Sequence, residues 1–496
     1  MAIFVSIFAA LGGFLYGYDT GLISGIINIP YFLQTYGHRQ GNTTTYLLAS
    51  SDKGLIVSIL SAGTFVGALL GYPSSDYLGR RRGLILAYLI FSVGVILQII
   101  IEQFQVFILG RFITGLGLGI VSCILPIYQS ECAPKQIRGA LVSTYQLFIT
   151  IGLFVAAVVN YQTKDRTSSA AYRIPIGLQL LWTAILCIGM FLLPESPRYL
   201  ILKGNVDQAY QSQSRLTSKK IDDPQVTYHI KEMIVDTVAA KAQQSGTYLD
   251  CFQLGPDKTL WRTLGGIFLQ VWQQLSGINF IFYYGTTFFH SSGMAHPFLL
   301  TIIINLVNVT MTIPGLLLID LLGRRKLLII GACGMCLCEY SIALIGQSNE
   351  TKQKLLIVFV CIYIAFFAST WGPSTSVITG ELYPTCIRAK CMSLSTASNW
   401  LVNFMLGCIT PYLIDADKGN LGTDVFFIWG TTCLGCVLFG FFCVWETRGL
   451  SLEKINYLIR NSSPITSVQL NQRMRSSGII ENEVLNNESI QLLDKS

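Results

Sequence analysis

Twelve long apolar runs constrain this chain more than any other feature. They lie at residues 3–30, 54–74, 83–102, 106–130, 139–161, 174–193, 260–289, 297–319, 327–347, 354–380, 391–414 and 424–445. A helix needs roughly 20 mostly apolar residues to cross the hydrocarbon of a bilayer, and a crossing segment must satisfy its own backbone hydrogen bonds. Runs of this length therefore predict an all-α integral membrane protein. Composition agrees: 12% of the 496 residues are charged against 52% hydrophobic, too few charges to coat a water-soluble protein of this size. The first run begins at Ala2, lacks a basic leading segment and a cleavage site, and contains Asp19. It is expected to be a retained first crossing.

An even number of crossings places both termini on one side. Of the 34 Lys and Arg, 25 fall in segments 75–82, 131–138, 194–262, 320–326, 381–390 and 446–496, 8 fall on the other side, and Arg111 lies within a run. The basic side, with both termini, is expected to be cytoplasmic. Glycosylation triplets at Asn42 and Asn349 fall in the opposite, outer loops, where glycans are added; those at Asn308, Asn461 and Asn487 do not. The net charge of +7 then follows from orientation, and no basic arm with interleaved aromatics points to nucleic acid. All 14 cysteines fall in runs or on the cytoplasmic side, so no outer disulfide is expected. The pairs Cys333/Cys336 and Cys433/Cys436 are read as packing residues and not as metal ligands. No catalytic constellation, cofactor motif or nucleotide-binding loop is present, which excludes an ATP-driven pump and argues against an enzyme.

The chain repeats itself. Asp76-Tyr77-Leu78-Gly79-Arg80-Arg81 returns as Asp320-Leu321-Leu322-Gly323-Arg324-Arg325, an offset of 244. Glu131-x-x-Pro134-x-x-Ile137-Arg138 returns as Glu381-x-x-Pro384-x-x-Ile387-Arg388, an offset of 250, and Glu195-Ser196-Pro197-Arg198 is answered by Glu446-Thr447-Arg448. Self-similarity at half the chain length predicts two six-helix halves, 1–193 and 260–445, with a path between them. The linker 194–259 is expected to carry short helices at 207–216 and 224–244, the second with Val226, Ile230, Met233 and Ile234 on one stripe. The tail 446–496, rich in Asn, Ser and Gln beyond Arg460, is expected to be largely disordered. Taken singly, the loop charges read as topogenic anchors. The repeated set Asp76, Arg80, Arg81, Glu131, Arg138, Glu195, Arg198 with Asp320, Arg324, Arg325, Glu381, Arg388, Glu446, Arg448 reads as a gate, pairing across the cytoplasmic face in one conformation and parting in another.

These motifs, with Gly17-Tyr18-Asp19-Thr20-Gly21, Gln273-Gln274-Leu275-Ser276-Gly277-Ile278-Asn279 and Ser398-Asn399-Trp400-Leu401-Val402-Asn403-Phe404, resemble the sugar porter branch of the major facilitator superfamily over about residues 1 to 450. Within it the chain is most similar to fungal hexose transporters and yeast glucose sensors. The resemblance implies alternating access by a plasma-membrane protein, expected to work as a monomer among lipid, with a monosaccharide as its substrate. It places sugar contacts at Gln146, Gln273, Gln274, Asn279, Asn308, Gly372, Asn399, Trp400 and Asn403. The chemistry fits: carboxamides both donate and accept, matching sugar hydroxyls with no charge to desolvate. The plainer role of such amides is to glue helices. Gln273, Gln274 and Asn279 face one interior only if the helix is irregular, as Gly277 permits. Tyr16, Tyr283 and Tyr284 are secondary candidates. Where the family usually has a tryptophan three residues past Pro373, this chain has Ser376, which leaves more room beneath the sugar.

Asp19 and Arg111 lie within runs, where an unpaired charge costs at least roughly 2.5–3.5 kcal/mol, so they are expected to pair. The resemblance implies that parting them loads or releases a proton, the expected coupling ion, in symport. A static ion pair in a uniporter is the alternative. A glucose sensor is a third reading, disfavoured here by a tail of about 50 residues. Glu339, the third charge within a run, is expected to face water near the outer end.

Overall fold

A computed structural model of the chain describes residues 1–39, 46–133, 138–242, 248–346, 349–384, 387–415, 418–450 and 452–476. The first half crosses as α1 (Ala2–Ile26), α3 (Ser50–Leu78), α4 (Arg80–Ile100), α5 (Phe104–Cys132), α6 (Arg138–Thr163) and α7 (Ala170–Leu192). The first crossing stops before the expected residue 30 because Pro30 starts a separate short helix, α2 (Pro30–Tyr36), a position that suits its fixed φ and missing N–H. Beyond it a two-residue ladder pairs β1 (His38–Arg39) with β2 (Tyr46–Leu47).

The second half crosses as α11 (Thr259–Leu275) continued by α12 (Ile278–Ser291), then α13 (Pro297–Leu322), α14 (Arg324–Ile345), α15 (Glu350–Ser369) continued by α16 (Trp371–Leu382), α17 (Arg388–Ile414) and α18 (Val425–Cys443). Ten of the twelve crossings are long and apolar enough to span a membrane on their own. The other two are the broken α11/α12 and the polar α17, which carries Ser393, Ser395, Asn399 and Asn403 in its buried face. This is the twelve-helix major facilitator fold.

Close helix contact inside each half rests on small residues. A Cβ at Gly63 of α3 would lie 2.1 Å from the Phe112 carbonyl oxygen, so the two backbones meet only because no side chain intervenes. The halves meet through α3 against α17, α6 against α13, and α1 against α12. The first two contacts are equivalents under the internal repeat.

The linker folds as α8 (Pro197–Leu202), α9 (Val206–Thr217) and α10 (Pro224–Ala242). Leu200, Ile201, Ala209 and Ile230 form a small apolar core there, with Met233 and Ile234 against it. The expectation of disorder beyond Arg460 is corrected for residues 461–476. The tail forms α19 (Leu452–Asn461) and α20 (Ser467–Ser476). Asn471 Nδ2 of α20 donates to the carbonyls of Glu446 and Arg448, both at 3.1 Å, and Ser467 Oγ accepts from the Glu446 N–H at 3.0 Å. Order in this polar stretch comes from tertiary hydrogen bonds, which leave no apolar periodicity to read. Residues 477–496, with Asn487, lie outside the described residues, as does Asn42.

Candidate functional site

The seventh crossing breaks where expected. Gly277 adopts φ 84° between α11 and α12, a left-handed conformation that only glycine takes cheaply. The carbonyls freed by the break are satisfied from neighbouring helices: Thr432 Oγ1 donates to Leu275 at 2.6 Å and Tyr363 Oη to Ser276 at 2.7 Å. On a regular helix Gln274 and Asn279 would point roughly 140° apart. Across the break Asn279 Nδ2 donates directly to Gln274 Oε1.

From there a carboxamide network spreads to α17. Gln274 Nε2 donates to Asn399 Oδ1 at 2.8 Å, and Asn399 Nδ2 donates to Gln270 Oε1 at 2.7 Å and Gln273 Oε1 at 3.2 Å. Gln273 Nε2 reaches Thr375 Oγ1 at 2.6 Å and the carbonyls of Trp371 and Gly372 at 3.2 and 3.3 Å, tying the seventh crossing to the break between α15 and α16. Gln146 of the first half approaches the same place, its Nε2 3.6 Å from where a Cβ on Gly372 would stand. Asn403 accepts from Ser61 Oγ of the first half at 3.1 Å, and its own Nδ2 is buried without a partner. Trp400 meets Tyr16 edge-on at 5.2 Å between centroids. Asn308 is buried on α13, without a hydrogen bond to this network among the described residues. Tyr284 is structural, donating to the Gly407 carbonyl at 2.7 Å, whereas the buried Tyr283 hydroxyl makes no hydrogen bond of good geometry among the described residues. Ser376 is exposed.

Sequence reasoning missed Gln270, Thr375 and Ser61. Gln270 was findable: it precedes Gln273 and Gln274 by three and four residues, so all three share one helix face. Ser61 and Thr375 carry no such mark. The assembly is uncharged, two-handed in hydrogen bonding and lined by an indole, which is the chemistry a polyhydroxylated ring needs.

Asp19 and Arg111 do pair. Arg111 Nη1 donates to both carboxylate oxygens of Asp19, at 2.9 and 3.0 Å, and both side chains are almost fully buried. Gln179 Nε2 of α7 adds a donor at 3.0 Å. It is a lone amide in an apolar run, which reads as packing. Arg111 Nη2 has no hydrogen-bond partner among the described residues. Glu339 departs from expectation: it is 1% exposed, with Oε2 unpartnered.

At the basic end the repeated residues form two similar clusters, each within its own half. In the first, Arg80 forks onto Glu131 at 2.9 and 3.0 Å, Glu195 accepts from the N–H groups of Arg80 and Arg81 at 3.1 Å, and Ser196 Oγ donates to Glu131. In the second, Arg324 meets Glu381 at 2.9 Å, Glu446 accepts from the N–H groups of Arg324 and Arg325 at 3.0 and 3.2 Å, and Thr447 Oγ1 donates to Glu381 at 2.6 Å. Burial pushes the Glu195 carboxyl up, opposed by the N–H groups of Ser196 and Arg81. Arg81 and Arg325 also cap the ends of α7 and α18 through the carbonyls of Phe191 and Phe441, both at 2.6 Å. Asp76 is exposed, Asp320 pairs with Arg324 at 3.0 Å, Arg448 donates to the Asp320 carbonyl at 2.9 Å, and Arg388 to the Tyr383 carbonyl at 3.2 Å. Arg198 opens α8, and Arg138 opens α6 with its side chain outside the described residues. The expected gate pairs across the face in one conformation and parts in another; in this conformation Arg80 with Glu131 and Arg324 with Glu381 each close within their own half.

The halves are joined by charge at the opposite end. Lys53 Nζ contacts both oxygens of Asp415 at 3.0 and 3.1 Å, with Ser50 Oγ donating to the same carboxylate at 2.6 Å. Asn28 Nδ2 donates to Thr287 Oγ1 at 2.9 Å. Asn349 is exposed at the start of α15 at this end.

Comparison with known proteins places this architecture. The chain is 45% identical to the probable glucose transporter rco-3 of Neurospora crassa, covering 92% of this chain and 78% of that one. It is 41% identical to the high glucose sensor RGT2 of Saccharomyces cerevisiae, covering 96% of this chain but 63% of the sensor. Among solved structures, the proton:xylose symporter XylE of E. coli bound to 6-bromo-6-deoxy-D-glucose superposes with a TM-score of 0.78 at 27% identity, covering 92% of this chain and 98% of that one. A family model described as "Sugar (and other) transporter" matches residues 5–459. This multi-pass membrane protein belongs to the sugar transporter family of the major facilitator superfamily.

Proposed function

We propose that the chain carries a monosaccharide, glucose before xylose, across the plasma membrane by alternating access, in symport with a proton. The observation that carries the reading is the mutual bonding of Gln270, Gln273, Gln274, Asn279 and Asn399. A sugar's hydroxyls can replace those bonds one for one as the halves rock about it. The buried Asp19–Arg111 pair supports coupling: it sets an acid and its counter-charge on two different crossings, α1 and α5, so a change in shape that parts them exchanges Arg111 for a proton. The charge-joined outer end, Lys53 with Asp415, fits a state closed to the outside. Cytoplasmic termini, a monomeric working unit, and glycans at Asn42 and Asn349 complete the proposal. The likeness to the sensor favours a second reading, in which sugar binding drives signalling.

The test is uptake of labelled glucose and xylose in cells lacking their own hexose transporters, at acid and neutral pH, with and without an uncoupler. Uptake indifferent to the proton gradient would leave a uniporter. Sugar binding without uptake would leave the sensor.

A further inference from the structure

A second carboxyl is buried in the second half, far from Asp19 in the chain. Glu339 lies on α14 and is 1% exposed. Unlike Asp19 it has no cation: among the described residues no Lys, Arg or His pairs with it, and Oε2 accepts no hydrogen bond. Its titratable neighbours are Tyr363 of α15, Cys433 of α18 and, on its own helix, Cys336 and Cys338, with Cys436 one turn along α18. Charged groups on the elements packed against α14 are spent elsewhere. Asp320 of α13 and Glu381 of α16 engage Arg324 at the basic end. Glu350 of α15 pairs with the exposed Lys354, and Lys352 of α15 and Asp424, on the short turn Gly422–Asp424, are exposed.

The two neighbours share one target. Tyr363 Oη donates to the Ser276 carbonyl at 2.7 Å, and Cys433 Sγ donates to the same oxygen at 3.6 Å. Ser276 closes α11 immediately before the left-handed Gly277, so these donors hold the break that positions Gln274 and Asn279. Glu339 is thus a buried acid set directly behind the hinge of the sugar-binding crossing.

We propose that Glu339 is a second proton-binding group, neutral in this conformation, that controls the break between α11 and α12. A carboxylate with no cation is not stable in such a place, while a neutral acid is. Tyr363 has a single O–H to give. When the Glu339 proton leaves to water, the carboxylate becomes the stronger acceptor and draws that O–H from Ser276. The Ser276 carbonyl then keeps only a weak thiol donor, and the break loosens. Protonation at Glu339 holds the amides in register, and deprotonation releases them.

The proton assignment rests on burial alone, and its effect on sugar rests on the proposed transport, so two measurements keep them apart. Infrared difference spectra of the purified protein in lipid nanodiscs, titrated with alkali, need no sugar. A protonated-carboxyl band present in wild type and missing in Glu339→Gln is expected; a wild-type spectrum in which the Glu339→Gln change removes only a carboxylate band overturns the assignment. In uptake or sugar-binding assays, wild type is expected to lose about tenfold as the pH rises through this titration, the factor for exchanging one hydrogen bond of this strength. Glu339→Gln should remove that loss, and Tyr363→Phe should show the reduced level at every pH. A wild-type pH profile in both variants overturns the control of the break. Should Glu339→Gln fail to fold, a Tyr363→Phe protein with a wild-type profile does so alone.

Discussion

Asp19→Asn removes one charge from a site closed by α1, α5 and α7. The asparagine matches the aspartate in size and keeps one acceptor, so Arg111 loses its counter-charge but not every hydrogen bond. Breaking a buried pair costs roughly 3–5 kcal/mol, and the retained acceptor places this variant near the lower figure, about 3 kcal/mol. The functional effect is larger in kind. One proton moving down a potential of 100 mV supplies about 2.3 kcal/mol, enough for an accumulation of about fiftyfold. Without a titratable group at position 19 that ratio should fall to one, while exchange of labelled for unlabelled sugar across the membrane continues. Energised vesicles read both: accumulation with and without uncoupler, then counterflow with no gradient. Gln179→Leu is the control, since it removes the 3.0 Å donor to Asp19 but keeps the ion pair, and should still accumulate sugar. If Asp19→Asn accumulates sugar as wild type does, and uncoupler abolishes it, Asp19 does not carry the coupling proton.

Gly277→Ala should lower stability by about 2–4 kcal/mol, because the left-handed φ disfavours a Cβ that would also stand 2.7 Å from Trp429 Cγ; thermal unfolding in detergent measures it, and a melting temperature equal to wild type contradicts it. Asn399→Leu removes the acceptor of Gln274 Nε2 and the donor to Gln270 Oε1 and should weaken sugar binding at least about tenfold, read by equilibrium binding, with the response to uncoupler unchanged. Glu131→Gln and Glu381→Gln break equivalent bonds to Arg80 and Arg324, so their losses of transport should agree within about threefold; a large asymmetry would show that the two clusters are not equivalent. Lys53→Asp should open the outer end, raising labelling of a cysteine placed beneath it, and adding Asp415→Lys should restore protection.

The legible part of the site was its membership. Gln273, Gln274, Asn279, Asn399 and Asn403 stood out as amides in apolar runs, where a polar group requires a reason. Gly277 stood out because those amides need a break to face one way. Asp19 and Arg111 predicted each other, since neither is tolerable alone in lipid. What escaped was every partner whose own residue type is unremarkable in a membrane helix. Ser61 and Thr375 are of that kind, and Gln179 is one amide in a run that reads as packing. The tail helix α20 escaped for a related reason, being held by Asn471 and Ser467 and not by an apolar stripe.

By itself the sequence determined the solvent, the number of crossings and the division into two repeated halves. These depend on run length and on motif spacing, which are properties of the chain read in order. Only the tertiary structure decided which charges meet. Arg80 and Glu131 close within the first half and Arg324 and Glu381 within the second, while Lys53 and Asp415 join the halves at the other end. It also left Glu339 with no cation among the described residues. Pairing is set by distances of a few ångström between residues that lie far apart in sequence, and in a low dielectric those distances decide whether a charge is held, shared or given up.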